Sequence, residues 1–177
     1  MILYKGRPTD DREPRESQVY DLLDSLGIPY ERIDHDPADN MIICDAIAQS
    51  LGCLICKNLL LCNRQHTNFY LLMIPSNKVL HTKQLSPQLH TSRLSFAEGE
   101  YMIQYLNTHP GSLSIMSLLY DPGCKVQLVV DQDILQEEYL GCHPCVNTSS
   151  LKLKTQDVFT KYLPAVHHDM IIVHLVD

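Results

Sequence analysis

Cys56-Lys57-Asn58-Leu59-Leu60-Leu61-Cys62 is followed, after the polar link Asn63-Arg64-Gln65-His66-Thr67-Asn68, by Phe69-Tyr70-Leu71-Leu72-Met73-Ile74. This stretch decides the fold. Two apolar runs, each too short for a helix and bounded by turn residues, read as a hairpin at the centre of a sheet. The same stretch puts one lysine at the mouth of an apolar strand. A charge there is costly unless it meets an anion or a polar ligand. Lys57 is therefore a candidate functional residue before anything else is known of the chain.

Outward from this hairpin the pattern is mixed. On the N-terminal side, Val19, Leu22, Leu23 and Leu26 share one helical face, with Gly27 as the stop. Ile28 to Ile33 contains Pro29 and reads as an edge strand. Ile43, Ile47 and Leu51 pace a second helix ending at Gly52. On the C-terminal side, Thr82 to Leu89 reads as a short helix. Ser95-Phe-Ala-Glu98 has the form of a capping box opening a helix that carries Tyr101, Met102, Tyr105 and Leu106 and ends before Pro110. Leu113 to Tyr120 is expected to include a strand, Val126 to Val130 is a strand, and Asp131 to Leu135 a helical turn. Tyr139-Leu140 and Ser149 to Leu153 are short strands, Thr155 opens a helix, and Ile171 to Leu175 closes the sheet. Strands and helices without a regular βαβ rhythm imply an α/β (α+β) fold: one domain, with a mixed β-sheet flanked by helices. Residues 1–15, polar and charged, are expected to be a solvated N-terminal arm, with the domain spanning 16–177.

Composition limits the function. A chain of 177 residues can bury a real core, and 45% hydrophobic with 20% charged residues is ordinary for a globular domain. No apolar run approaches the roughly 20 residues of a membrane helix, and the N-terminus lacks the apolar core of a signal peptide, so the cytoplasm is the expected compartment. A net charge of −7 argues against broad nonspecific nucleic-acid binding but leaves room for a local contact with a short RNA end. The seven cysteines include two CxxC pairs, Cys53/Cys56 and Cys142/Cys145. They stand far wider apart than the zinc-ribbon spacing of about 15–20 residues, and Leu54 and Ile55 lie inside the first pair, so they read first as reduced core thiols, with a zinc or redox site as the alternative.

Two more stretches stand out, Pro110-Gly111-Ser112-Leu113-Ser114 and Gly141-Cys142-His143-Pro144-Cys145-Val146-Asn147-Thr148. Taken in order with Lys57-Asn58-Leu59-Leu60-Leu61, with Leu94-Ser95-Phe96-Ala97 and with Val126 to Asp131, they resemble the YbaK/prolyl-tRNA-synthetase-associated editing domains. The resemblance covers about residues 16–177 and is closest to the free-standing members. It implies hydrolysis of the ester between a wrong amino acid and the terminal adenosine of tRNA, without a cofactor or metal.

An aminoacyl ester is already activated. Its site has to place a water, polarise the carbonyl and exclude the correct amino acid, and oriented backbone groups can stabilise the developing charge. The resemblance implies catalytic roles for Lys57, Gly111 and Ser112. Gly111 carries no Cβ to block the substrate. His143 matches the family's pocket histidine and is expected to bind the aminoacyl group; Asn40, Asn58 and Asn147 are further substrate-binding candidates. Two positions depart from the family pattern: Ile115 stands where many members carry Pro, and Asn40 where many carry Thr. The implied substrate is Ala-tRNA(Pro), with Cys-tRNA(Pro) as the alternative. A noncatalytic aminoacyl- or amino-acid-binding protein is the reading from another class. The implied partners are the tRNA acceptor end and, beside it, prolyl-tRNA synthetase or an elongation factor.

Overall fold

The computed structural model describes residues 1–177. The central hairpin is β3 (Leu54–Asn63) and β4 (Phe69–Pro75), antiparallel, with Lys57 opposite Ile74 and Leu60 opposite Leu71. Every residue of β4 is buried, as expected for a strand covered on both faces. Around the pair lie β1 (Leu3–Lys5), β2 (Tyr30–Asp34), β5 (Leu94–Phe96), β6 (Val126–Asp131), β7 (Tyr139–Cys142), β8 (Ser149–Lys154) and β9 (Met170–Val173). The sheet order is β1-β2-β8-β7-β3-β4-β6-β9, and β5 pairs with the far end of β3. The β3/β7, β4/β6 and β6/β9 pairs are parallel and the rest antiparallel, which makes the sheet mixed.

Helices cover both faces. On one side α1 (Pro14–Ser25), α4 (Gly99–Leu106), a 3₁₀ turn (Ile115–Tyr120) and a C-terminal helix with a π-helical turn at Val158–Tyr162 contribute to the main core. Val19, Tyr20, Leu23, Leu106, Met116 and Tyr162 are buried there against Leu60, Leu71 and Leu128. On the other side α2 (Met41–Leu51) sets Ile47 and Leu51 on Ile33, and α3 (Thr82–Gln88) sets Leu85 near Leu72 and Val129.

Three local expectations are corrected. Ser95 does not cap a helix: it pairs with Cys62 in β5, and α4 starts only at Gly99, because the unpaired edge at the end of β3 offers Leu94–Phe96 a ladder. Leu113 to Tyr120 contains no strand. Ser114 accepts a hydrogen bond from the Met116 N–H at 3.1 Å and starts a 3₁₀ turn whose Ile115, Met116 and Leu118 are fully buried. β2 is not an edge strand, since β1 pairs along it.

The first 15 residues are tied to the fold. Arg12 donates to Glu16 at 3.0 Å, to Asp34 at 3.0 Å and to the Ser149 hydroxyl at 3.1 Å, and Tyr20 donates to Glu16 at 2.6 Å. Burial pushes the Asp34 carboxyl up, but hydrogen bonds from Arg12 and Ser149 outweigh it and hold it below its usual range. This network lies under the first residue of β8, beside the segment that carries His143.

Candidate functional site

The three remote segments meet. A cavity of about 420 Å³ is lined by Ile55, Cys56, Lys57 and Asn58 of β3, Ser76 and Asn77 after β4, Gly111 and Leu113 of the Pro110 loop, and His143 after β7. Ala38 and α2 residues Met41, Cys44, Asp45 and Ala48 close it. Its size lies within the roughly 300–1,000 Å³ common for small-molecule sites.

The Lys57 ammonium is held by the Lys78 carbonyl at 2.7 Å. That carbonyl is itself placed by an anchored residue. The Lys78 ammonium meets Asp131 at 2.9 Å, Asp133 at 2.7 Å and the Leu175 carbonyl at 2.7 Å. Burial lowers the Lys78 pKa, but Asp133 and Asp131 raise it more, so the net shift is upward. Asp131 is fully buried and also accepts from the Asp133 N–H at 3.0 Å. The wall residue Asn58 donates its amide to the Cys56 carbonyl at 3.1 Å, and its Oδ1 is buried with no donor. An orphaned acceptor costs about 1–3 kcal/mol.

Gly111 has φ of +91°, a region L side chains disfavour. The Ser112 N–H is committed to the His109 carbonyl at 3.0 Å, whereas the N–H groups of Gly111 and Leu113 have no acceptor in the protein. Ser112 itself is buried outside the cavity lining. The loop needs no proline at position 115 to be fixed: the Ser114 cap and the fully buried Ile115 anchor it.

His143 donates from Nδ1 to the Ser149 carbonyl at 2.9 Å. Burial lowers its pKa, with a smaller contribution from His35, against the raising effect of the Ser149 carbonyl. The turn carrying it is strained: Cys145 has φ of +65° and is buried, and its carbonyl accepts from Thr108 Oγ1 at 3.3 Å. Burial pushes the Cys56 and Cys145 thiols up to about 12, which keeps both protonated and poor nucleophiles. A Cβ on Gly141 would run into the Ile55 side chain, so this glycine lets the cavity wall lie flat on β7.

The remaining candidates stand at the margin. Asn40 is the N-cap of α2, accepting from the Ile43 N–H at 3.0 Å, and does not line the cavity. Asn147 bridges loops: its Oδ1 accepts from the Ala38 N–H at 3.2 Å and its amide donates to Asp39 at 3.0 Å. That amide lies 3.6 Å from where a Cβ on Gly111 would stand. Sequence reasoning missed Ser76, Asn77 and the α2 face. Only the turn residues after β4 gave a signal there; the α2 contribution depends on where the helix crosses the sheet.

The aminoacyl-tRNA editing domain model matches residues 40–161, a span that contains Lys57, Gly111 and His143. The chain belongs to the aminoacyl-tRNA editing domain family. It is similar to the prolyl-tRNA editing protein ProX of Acetoanaerobium sticklandii, 27% identical over 77% of this chain and 83% of that protein. It is also similar to the prolyl-tRNA synthetase associated domain-containing protein 1 of Mus musculus, 27% identical over 89% and 95%. Among solved structures it shares its fold with a candidate trans-editing enzyme for prolyl tRNA synthetase, TM-score 0.68 at 12% identity over 94% of this chain and all of that one. A hypothetical protein of known structure aligns with TM-score 0.67 at 16% identity, over 88% and 98%. No helix is long and apolar enough to cross a membrane.

Proposed function

We propose that this protein is a trans-acting aminoacyl-tRNA deacylase that hydrolyses the ester of mischarged tRNA(Pro), with Ala-tRNA(Pro) as its main substrate. The observation that carries the reading is the convergence of Lys57, Gly111 and His143, from three distant segments, on one cavity in a chain of the editing family. The names of the ProX and synthetase-associated relatives support tRNA(Pro) as the tRNA.

The chemistry follows from the groups present. The ester carbonyl lies against the Pro110 loop, where the free N–H groups of Gly111 and Leu113 take the charge that builds on its oxygen. Lys57, fixed by the Lys78 carbonyl, adds positive charge toward the ester oxygens or the terminal nucleotide. A water placed in the cavity attacks the carbonyl carbon, the C–O bond to the ribose breaks, and the amino acid and the free tRNA end leave. Ser112 acts by shaping the loop through its bond to His109, and Asn147 by bracing it. Asn58 lines the cavity wall, and its amide must turn for the buried Oδ1, which lacks a donor, to receive a polar group of the substrate. Asn40 acts indirectly, by capping the helix that closes the cavity. The working unit is residues 16–177 with the first 15 pinned onto it, acting in the cytoplasm on the acceptor end, with prolyl-tRNA synthetase or an elongation factor presenting the substrate.

A panel of Ala-, Cys- and Pro-tRNA(Pro) tests this directly. The expected order of hydrolysis is Ala above Cys, with Pro spared; one methylene separates ligands by about 1–3 kcal/mol. Preferential turnover of Cys-tRNA(Pro) would reassign the substrate. Saturable binding with no ester turnover would make the protein a noncatalytic carrier.

A further inference from the structure

His143 is one end of a chain of polar groups that leads out of the cavity. Its Nδ1 lies 2.9 Å from the Ser149 carbonyl and 3.4 Å from Ser150 Oγ. Ser150 Oγ lies 2.9 Å from His35 Nε2, and His35 Nδ1 lies 2.7 Å from the Asp36 carbonyl. The two imidazole rings stand 6.2 Å apart, centroid to centroid.

The two carbonyls fix the protons. A carbonyl oxygen only accepts, so each imidazole, when neutral, carries its single proton on Nδ1. His35 Nε2 is then a lone pair, and the only proton it can receive from Ser150 is the hydroxyl's. With that proton turned toward His35, Ser150 offers His143 lone pairs alone and becomes a second acceptor for the His143 Nδ1–H. Only one arrangement of protons satisfies every contact: His143 to Ser149 and Ser150, Ser150 to His35, His35 to Asp36. It leaves His143 Nε2 unprotonated. That atom has no partner in the protein and is not among the buried orphans, and the residue lines the cavity.

We infer that Ser150 and His35 are positioning residues that reinforce the Ser149 carbonyl in holding His143 as the neutral Nδ1–H tautomer, so that its Nε2 meets the substrate as a hydrogen-bond acceptor for the α-ammonium of the aminoacyl group. Without His35 the Ser150 hydroxyl proton is free to turn toward His143 Nδ1 and compete with the Ser149 carbonyl for that atom, which weakens the preference for the Nδ1–H tautomer and admits the form that sets an N–H against the ammonium. The kinetic consequence rests on the deacylase reading; the position of the proton does not.

Two measurements separate the two claims. Imidazole ¹⁵N NMR of the full chain, with His143 assigned by its loss in His143→Gln, reads the tautomer with no substrate present. Wild type is expected to show a protonated Nδ1 and a bare Nε2. His35→Phe and Ser150→Ala are expected to shift His143 toward the Nε2–H form, and Ser150→Thr, which keeps the hydroxyl, to restore the wild-type pattern. His35 is half-buried, so its variant tests the relay even if Ser150→Ala folds poorly. In deacylation of Ala-tRNA(Pro), His35→Phe and Ser150→Ala are expected to raise KM about tenfold, the loss of one hydrogen bond to a charged donor, with a smaller change in kcat. A wild-type His143 carrying its proton on Nε2 overturns the inference. So do folded His35→Phe and Ser150→Ala proteins whose His143 shifts match wild type. If wild type cleaves no ester yet shows the Nδ1–H form with both variants shifted, the deacylase reading fails and the tautomer lock stands.

Discussion

At the scale of single residues, the site depends on groups whose charge state is set by what surrounds them. Burial lowers the His143 pKa, which on the proposed reading suits a wall and an acceptor rather than an acid. This has a thermodynamic consequence. Its folded pKa lies below the unfolded value of about 6.5, so the unfolded chain binds more protons in that window and stability rises with pH. The contribution is complete above the unfolded pKa and is lost as pH falls toward and through the folded one. Thermal melts of wild type and His143→Gln between pH 7.5 and pH 5 should therefore show wild type losing more of its Tm on acidification. Parallel pH profiles would mean that His143 is not held neutral. Lys57 was legible in the sequence because a lone lysine in an apolar strand is costly. His35 and Ser150 gave no such signal, since a loop histidine and a strand serine are ordinary until the fold brings them beside His143.

At the scale of elements, the β3/β4 hairpin could be read from its apolar runs, and α2 from Ile43, Ile47 and Leu51. The strands that were misread are those whose partners are remote. Leu94–Phe96 extends only because β3 is free beside it, and Leu3–Lys5 only because β2 is. The capping-box pattern at Ser95 lost to that ladder, an instance of tertiary pairing overriding a local signal. The loop after β4 is likewise set by distant parts: Lys78 is clamped by Asp131 and the Leu175 carbonyl, and Gln84 accepts from the Val176 N–H at 3.0 Å. Lys78→Met leaves the Asp131 carboxylate buried without its cation. We expect a loss of about 3–5 kcal/mol in urea unfolding, with kcat/KM falling as Lys57 loses its fixed partner. A variant of unchanged stability would show that the clamp does not hold the wall.

For the whole molecule, charge limits how tRNA is held. A chain with a net charge of −7 repels most of a tRNA body, so contacts should concentrate on the acceptor end. A short acceptor minihelix should then be deacylated with nearly the same kcat/KM as full-length tRNA. Log–log salt dependence should have a slope of about −1 to −2, the release expected from one or two phosphate contacts. A much steeper slope, or a minihelix cleaved far more slowly, would require contacts along the tRNA body. The fold itself follows from the central hairpin and its helices, and the family match covers the segments that converge on the cavity.

On the proposed deacylase reading, catalysis depends above all on the Lys57 ammonium, steadied by the Lys78 carbonyl, facing the bond that is cut. The most direct measurement is the rate of Ala-tRNA(Pro) deacylation by wild type and Lys57→Ala at matched, folded concentrations. We predict a fall of about 10²-fold, the cost of removing one preorganised electrostatic group. Equal rates in the two proteins would contradict the account.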